Sequence, residues 1–207
     1  MPALTKRDLI AAALRLVDEA GADGLTMRAL AARVHRQVSS LYNHIRNRAE
    51  LIEELRAVIV AEIDTGAFAT EEWDAAIVAW SRSYLRAFSA HPNLIPLLAT
   101  TPIRDESTLR MYETVVAALI EQGWPTSDAV AVMRTIEAHI LGSALDIVAP
   151  DDLLSGESTP PDLPSLRRAL DAENAESAGA RRAFELGLRA LMTGLRAEHA
   201  RVNTASA

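Results

Sequence analysis

Apolar residues recur at spacings of three and four along almost the whole chain, and no segment alternates apolar and polar positions long enough to read as a strand. The pattern predicts an all-α protein. A first helix runs from about Thr5 to Ala20, with Leu9, Ala12, Ala13, Leu16, Val17 and Ala20 on one face, Thr5 as N-cap and Gly21 as the glycine that ends it. A second, about two turns long, starts after the N-cap Thr26 and buries Met27, Leu30, Ala31 and Val34. After the turn His35-Arg36-Gln37 comes a third, roughly Val38 to His44, with Val38, Leu41 and Ile45 inward. Asn47-Arg48-Ala49-Glu50 has capping-box spacing and opens a fourth helix reaching about Asp64.

Gly66 and the stretch 67–70 then mark a junction, dividing a helix-turn-helix head, residues 1–65, from a helical body, residues 66–201. The body pattern predicts helices near 72–89, 93–99, 105–122, 127–148 and 178–198, with a short one near 163–173. Pro92, Pro96, Pro102 and Pro125 fall at or near their boundaries, where the missing N–H is tolerated. Residues 150–164, with four prolines, read as a mobile loop, and 202–207 as a frayed end.

Charge changes this picture. The chain of 207 residues carries a net charge of −7, yet residues 1–60 are net +2 and the remainder −9. Gly24 to Arg48 holds five arginines and no carboxylate. A basic island on a helix-turn-helix pattern suits duplex DNA, which an acidic body would repel, so that the encounter is oriented. In such a head the third helix enters the major groove. Gln37, Ser39, Ser40, Tyr42, Asn43 and His44, left outside its buried face, are all hydrogen-bonding types suited to base edges and phosphates. Arg28 offers a bidentate fork to a guanine or a phosphate. Thr26 and Arg48 stand at helix starts whose amides suit phosphate, and Arg36 is either a phosphate contact or a solvated side chain.

Other chemistry is sparse. Hydrophobic residues make up 49% of the chain and charged residues 24%, an ordinary globular composition. With no cysteine, disulfides, thiolate metal sites and cysteine nucleophiles are excluded, and a reducing cytoplasm is the expected setting. Residues 1–20 lack the apolar core of a signal peptide, and Arg134, Glu137, His139 and Asp146 break the most apolar later segment, so no membrane partner is expected. The five histidines form no HExxH, and there is no Gly-rich phosphate loop or GxSxG elbow, so neither a cofactor nor an enzyme is read. A helical interaction module without DNA binding is the alternative, and a small-molecule enzyme the more remote one.

Leu25-Thr26-Met27-Arg28-x-Leu30-Ala31, followed by Ser40-Leu41-Tyr42-x-His44-Ile45-x-Asn47-Arg48-x-Glu50-Leu51, resembles the N-terminal signature of the tetracycline-repressor (TetR) family of transcriptional regulators. The resemblance spans roughly residues 5–60. It implies an all-α homodimer whose body binds a small-molecule effector that controls binding to a palindromic operator. By position it makes Arg28, Gln37, Ser39, Ser40, Tyr42, His44 and Arg48 DNA contacts. The departure is in the turn, where His35 and Arg36 replace the family's glycine and apolar residue; histidine tolerates a positive φ better than most side chains.

In the body, the helix near 178–198 interleaves a large stripe (Phe184, Leu188, Leu191, Leu195) with a small one (Ala180, Ala183, Gly187, Ala190, Gly194). Each glycine inside a helix costs roughly 1 kcal/mol against alanine, so close approach of another helix is expected there. Ala138, Gly142 and Ser143 give the helix near 127–148 a small patch of its own. Either the two helices pair across a two-fold axis as a four-helix dimer interface, which the resemblance also implies, or they pack within one subunit. A dimer would read half-sites about 34 Å apart or a multiple of it.

Trp80, Tyr84, Phe88, Met111, Tyr112 and Met133 are candidates for an apolar effector pocket, with Arg104, Glu137, His139 or Asp146 as polar anchors. Helical spacing of this kind serves a core as readily as a ligand cage. The body between about 73 and 148 is similar to that of tetracycline repressors proper. Pro96 and Asp64, however, stand where those proteins place two of the histidines for drug and magnesium, which implies a ligand other than tetracycline.

Overall fold

The computed structural model describes residues 4–150, 153–171 and 179–205, and among these it contains helices and no strand. Helix α1 (Lys6–Gly24) starts in a complete capping box: the Thr5 hydroxyl accepts from the Asp8 N–H, and the Asp8 carboxylate accepts from the Thr5 N–H. Gly21 does break it, at φ 71° and ψ −179°, a conformation that needs glycine. The chain then makes one more helical turn to Gly24 across that kink, so the helix does not stop where the sequence places its end.

Helix α2 (Met27–Arg33) is capped by Thr26 and buries Leu30 and Ala31, with Met27 and Val34 only half-buried. Helix α3 is shorter than expected. It covers only Val38–Leu41 because Asn43 and His44 bond back three residues, to the carbonyls of Ser40 and Leu41, and tighten the chain into a turn. Helix α4 (Arg48–Val60) is capped by the Asn47 side chain on the Glu50 N–H. The reciprocal half of that box is missing, since the Glu50 carboxylate takes the N–H and guanidinium of Arg46 instead. It ends at Val60 rather than near Asp64, whose N–H is held by the Ser83 hydroxyl at 3.0 Å.

A 3-10 turn (Gly66–Ala69) forms the junction. Helix α5 (Trp73–Ala90), a second 3-10 turn (Pro92–Leu94) and α6 (Ile95–Ala99) follow, then α7 (Glu106–Glu121), α8 (Thr126–Ile147), a short exposed α9 (Pro164–Ala169) and α10 (Ala180–Ala205). Helix α8 is the centre of the body, packed on α5 along one side and on α10 along another. The expected short helix near 163–173 is thus six residues long, and 172–173 lie outside the described residues. Thr159 is buried within the 150–164 loop and donates to the Ser155 carbonyl.

The C-terminal end is not frayed over 202–205. Val202 is buried, and one turn earlier the His199 ring packs against both Trp73 and Trp124, 5.2 Å from each, with Nε2 on the Gln122 carbonyl. That anchor carries the helix past the expected boundary, while 206–207 lie outside the described residues.

Head and body meet along α4 and along α1. Helix α4 packs on α7 and also on α5 and α6, and α1 packs on the 3-10 turn at Pro92–Leu94, where His91 Nδ1 stands 2.9 Å from the Asp18 carboxylate and the Asn93 amide donates to the Asp18 carbonyl.

Candidate functional site

The head's chemistry follows from how tightly the α2–α3 turn is drawn. His35 adopts φ 53°, the only positive φ at a non-glycine position among the described residues, and Arg36 N–H bonds the Ala31 carbonyl at 2.9 Å. This left-handed turn releases α3 at an angle to α2. It leaves Gln37, Ser39, Tyr42 and Asn43 exposed, with Ser40 and His44 half-buried, while Leu41 and Ile45 are buried beneath them. Two of the hydroxyls also serve the backbone: Thr26 accepts from the Ala29 N–H, and Ser40 donates to the Gln37 carbonyl at 2.7 Å.

The five arginines of the basic stretch divide. Arg33 pairs with Glu19 and Arg46 with Glu50, exposed pairs in which a carboxylate offsets each charge. Among the described residues, Arg28 and Arg48 have no carboxylate partner. Arg48 Nε donates to the Leu25 carbonyl at 3.2 Å, bracing the start of α4 against the residue that precedes Thr26. Arg36 Nη1 donates to the His35 carbonyl. The structure therefore brings Thr26, Arg28, Arg36, Gln37, Ser39, Ser40, Tyr42, His44 and Arg48 onto one compact unit with its polar groups outward.

The body contains a cavity of about 720 Å³ bounded by α4, α5, α6, α7 and α8, a size that accommodates a drug-sized molecule. Tyr84, Phe88, Tyr112 and Met133 line it, as the sequence suggests. Four other candidates do not. Trp80 is fully buried and stacked on Tyr84, one turn further along α5. Met111 is a core residue, because it faces inward beside Val115 and not across the cavity. Arg104 is exposed on the way into α7, its backbone N–H held by the Glu53 carboxylate at 2.7 Å.

His139 lies on another side of α8, where Nε2 meets the Phe184 carbonyl at 3.0 Å and the ring stacks on Phe184 of α10. It accounts for one of the interior glycines: a Cβ on Gly187 would come within 2.4 Å of the imidazole. The close approach at Gly187 is therefore made inside one subunit, whereas Gly142 and Gly194 meet nothing within 4 Å. Gly187→Ala is expected to push the packed ring off Phe184 and lower stability by about 1–3 kcal/mol, measured by urea unfolding.

The polar part of the cavity centres on Glu137, whose carboxylate accepts from the hydroxyls of both Tyr84 and Tyr112. Arg56, only 5% exposed, donates to the carbonyls of Leu98 and Thr101 and stands 3.5 Å from Glu53. Sequence reasoning missed Arg56, together with the lining residues Thr108 and Arg134. The signal was present: Arg56 follows Leu55 and shares the buried stripe of α4 with Leu51, Ile52, Ile59 and Val60. Asp146 is exposed and away from the lining.

Burial, reinforced by the neighbouring Glu137 charge, pushes both phenols well above the ordinary tyrosine range. A folded-state pKa above the unfolded one contributes stability that is full below about pH 10 and is lost as pH rises towards the folded value. Tyr84 and Tyr112 are thus expected to ionise only as the protein unfolds in alkali. An ultraviolet pH titration run beside circular dichroism tests this, and ionisation of all three tyrosines before any loss of helix would contradict it.

Comparison with known proteins bears directly on this arrangement. Residues 9–55 match the model described as bacterial regulatory proteins, tetR family, and residues 66–199 match the tetracyclin repressor-like C-terminal domain. The chain belongs to the tetracycline-repressor family.

Its relatives include the class A tetracycline repressor from transposon 1721 of Escherichia coli, 33% identical over 202 residues that cover 94% of this chain and 92% of that protein. Solved structures of the same fold include ActR of Streptomyces coelicolor in complex with actinorhodin, at TM-score 0.73 and 26% identity, covering 96% of this chain and 99% of that one. A TetR protein of Acinetobacter baumannii in complex with minocycline superposes at TM-score 0.76 and 28% identity, covering 94% of each chain. The TetR family consists of ligand-responsive DNA-binding transcriptional regulators, so the chain is a regulator of this kind. Among the described residues no helix is long and apolar enough to cross a membrane.

Proposed function

We propose that this TetR-family chain is a homodimeric cytoplasmic repressor, without catalytic activity, that binds a palindromic operator and is released by a small apolar or aromatic effector. Residues 1–65 read DNA in this account, and residues 66–201 hold the effector and the dimer interface. The observation that carries it is the head: an acidic chain keeps Arg28 and Arg48 clear of carboxylates beside a turn and helix whose outward side chains are nearly all hydrogen-bonding types. Phosphate contacts would orient that surface, and base-edge contacts would give it sequence preference.

The dimer reading draws support from α8 and α10, where Gly142 and Gly194 keep open space around them that a partner's helices would fill. The effector reading draws support from the cavity and from relatives crystallised with actinorhodin and minocycline. A ligand other than tetracycline fits Pro96 and Asp64, which are exposed and outside the cavity lining.

Selection from a library of random duplexes tests the whole account. A palindrome with half-sites about 34 Å apart, or a multiple, is expected, and enrichment of no palindrome at moderate salt would sink it. Arg48→Ala is expected to weaken binding to specific and random DNA alike and to reduce the salt slope by about one. A loss confined to the selected operator would instead make Arg48 a base contact.

A further inference from the structure

The cavity wall holds a carboxylate, Glu137, that makes no ion pair among the described residues, although Arg56 and Arg134 share the lining. On Glu137, half-buried on α8, both phenol hydroxyls converge on one oxygen, Oε1, with Tyr84 at 2.7 Å. The other oxygen, Oε2, accepts no hydrogen bond from the described residues, and no ion pair reaches this side chain. The nearby cations do not answer it. Arg56 is held by two carbonyls and by Glu53, and Arg134, three residues before Glu137 on α8, is exposed and forms no ion pair with it.

Around Glu137 the wall is aromatic, formed by Tyr84, Phe88 and Tyr112. A cation brought here meets a carboxylate oxygen in a partly desolvated setting and the negative faces of rings, two attractions of the same sign. An anion meets repulsion from both. We infer that the effector is an apolar aromatic molecule carrying a protonated amine that seats against Oε2 of Glu137. This rests on the reading that the cavity is the effector site, and it adds the charge of the ligand.

The test uses three tricyclic probes on the full chain without DNA: proflavine as the aromatic cation, anthracenemethanol as a neutral hydroxyl donor and anthracenecarboxylate as the anion. Equilibrium titration at neutral pH is expected to rank them cation, neutral, anion, with proflavine at least about ten-fold tighter than anthracenemethanol. Glu137→Gln keeps an oxygen for both phenols and is expected to abolish the preference of the cation over the neutral probe. Equal binding of cation and neutral probe to the unaltered protein, or a preference that survives Glu137→Gln, overturns the inference and leaves the cavity as a ligand site. Binding by none of the three, or proflavine binding that is indifferent to the cavity-filling Met133→Trp, overturns the inference and the cavity reading together. The ranking in the unaltered protein does not depend on any variant folding.

Discussion

Replacing Arg56 with alanine is expected to lower the free energy of unfolding by about 3–5 kcal/mol, the largest stability effect of any single charge in the molecule. The guanidinium is nearly inaccessible and donates to the carbonyls of Leu98 and Thr101 at 3.2 and 3.0 Å, closing the end of α6 onto α4. Its removal takes the side-chain donor from two carbonyls, of which Leu98 keeps only backbone N–H groups, and leaves Glu53 facing the interior with no cation. Glu53 is itself committed, because its Oε2 holds the N–H groups of Arg104 and Asp105 at 2.7 and 2.6 Å, where α7 begins. Arg56→Met keeps most of the apolar stem and is expected to cost less, which separates lost packing from lost charge. Urea unfolding measures both, and a loss below about 1 kcal/mol in Arg56→Ala would show that water entering from the cavity replaces the guanidinium.

Tyr42→Ala is expected to do the opposite: leave stability within about 0.5 kcal/mol and weaken operator binding by about 10- to 100-fold. The ring follows the single turn of α3, is half exposed at 50%, and makes no hydrogen bond among the described residues. Such a side chain contributes little to the fold, yet it stands among the groups proposed to meet DNA. Fluorescence anisotropy with the selected operator and with random duplex measures the effect. A loss confined to the operator assigns Tyr42 to base readout, and an equal loss on both assigns it to positioning on the backbone.

The periodic stripes were legible because burial imposes them: Leu9, Leu16, Leu30, Leu41, Leu51 and Leu55 are buried where the spacing of three and four puts them. The true length of α3 was not legible, since Tyr42, Asn43 and His44 are exposed or half-buried and carry no periodic signal. The left-handed turn at His35 was foreshadowed by the family's glycine there and is now seen at φ 53°.

The cavity was harder to read for a geometric reason. Periodicity tells which face of a helix is covered, but not whether neighbouring side chains or empty space cover it. Trp80 and Tyr84 share a face of α5, yet one fills the core and the other borders the cavity. Glu137 and His139, two residues apart on α8, are about 200° apart around the axis, so both could not face the same space. Arg56 escaped notice because an arginine in an apolar stripe reads as an interruption, not as a buried strut.

The contact between Asp18 and the His91–Asn93 segment bears on how the body could steer the head. Held along a broad face, a rigid object follows whatever that face rests on. Helix α4 lies on α5, α6 and α7, and α1 is held besides by His91 and Asn93 at Asp18. The stretch 91–101 thus grips the head at both of its ends, Asp18 at one and Arg56 at the other, so any change in the body along this stretch reaches two helices of the head at once.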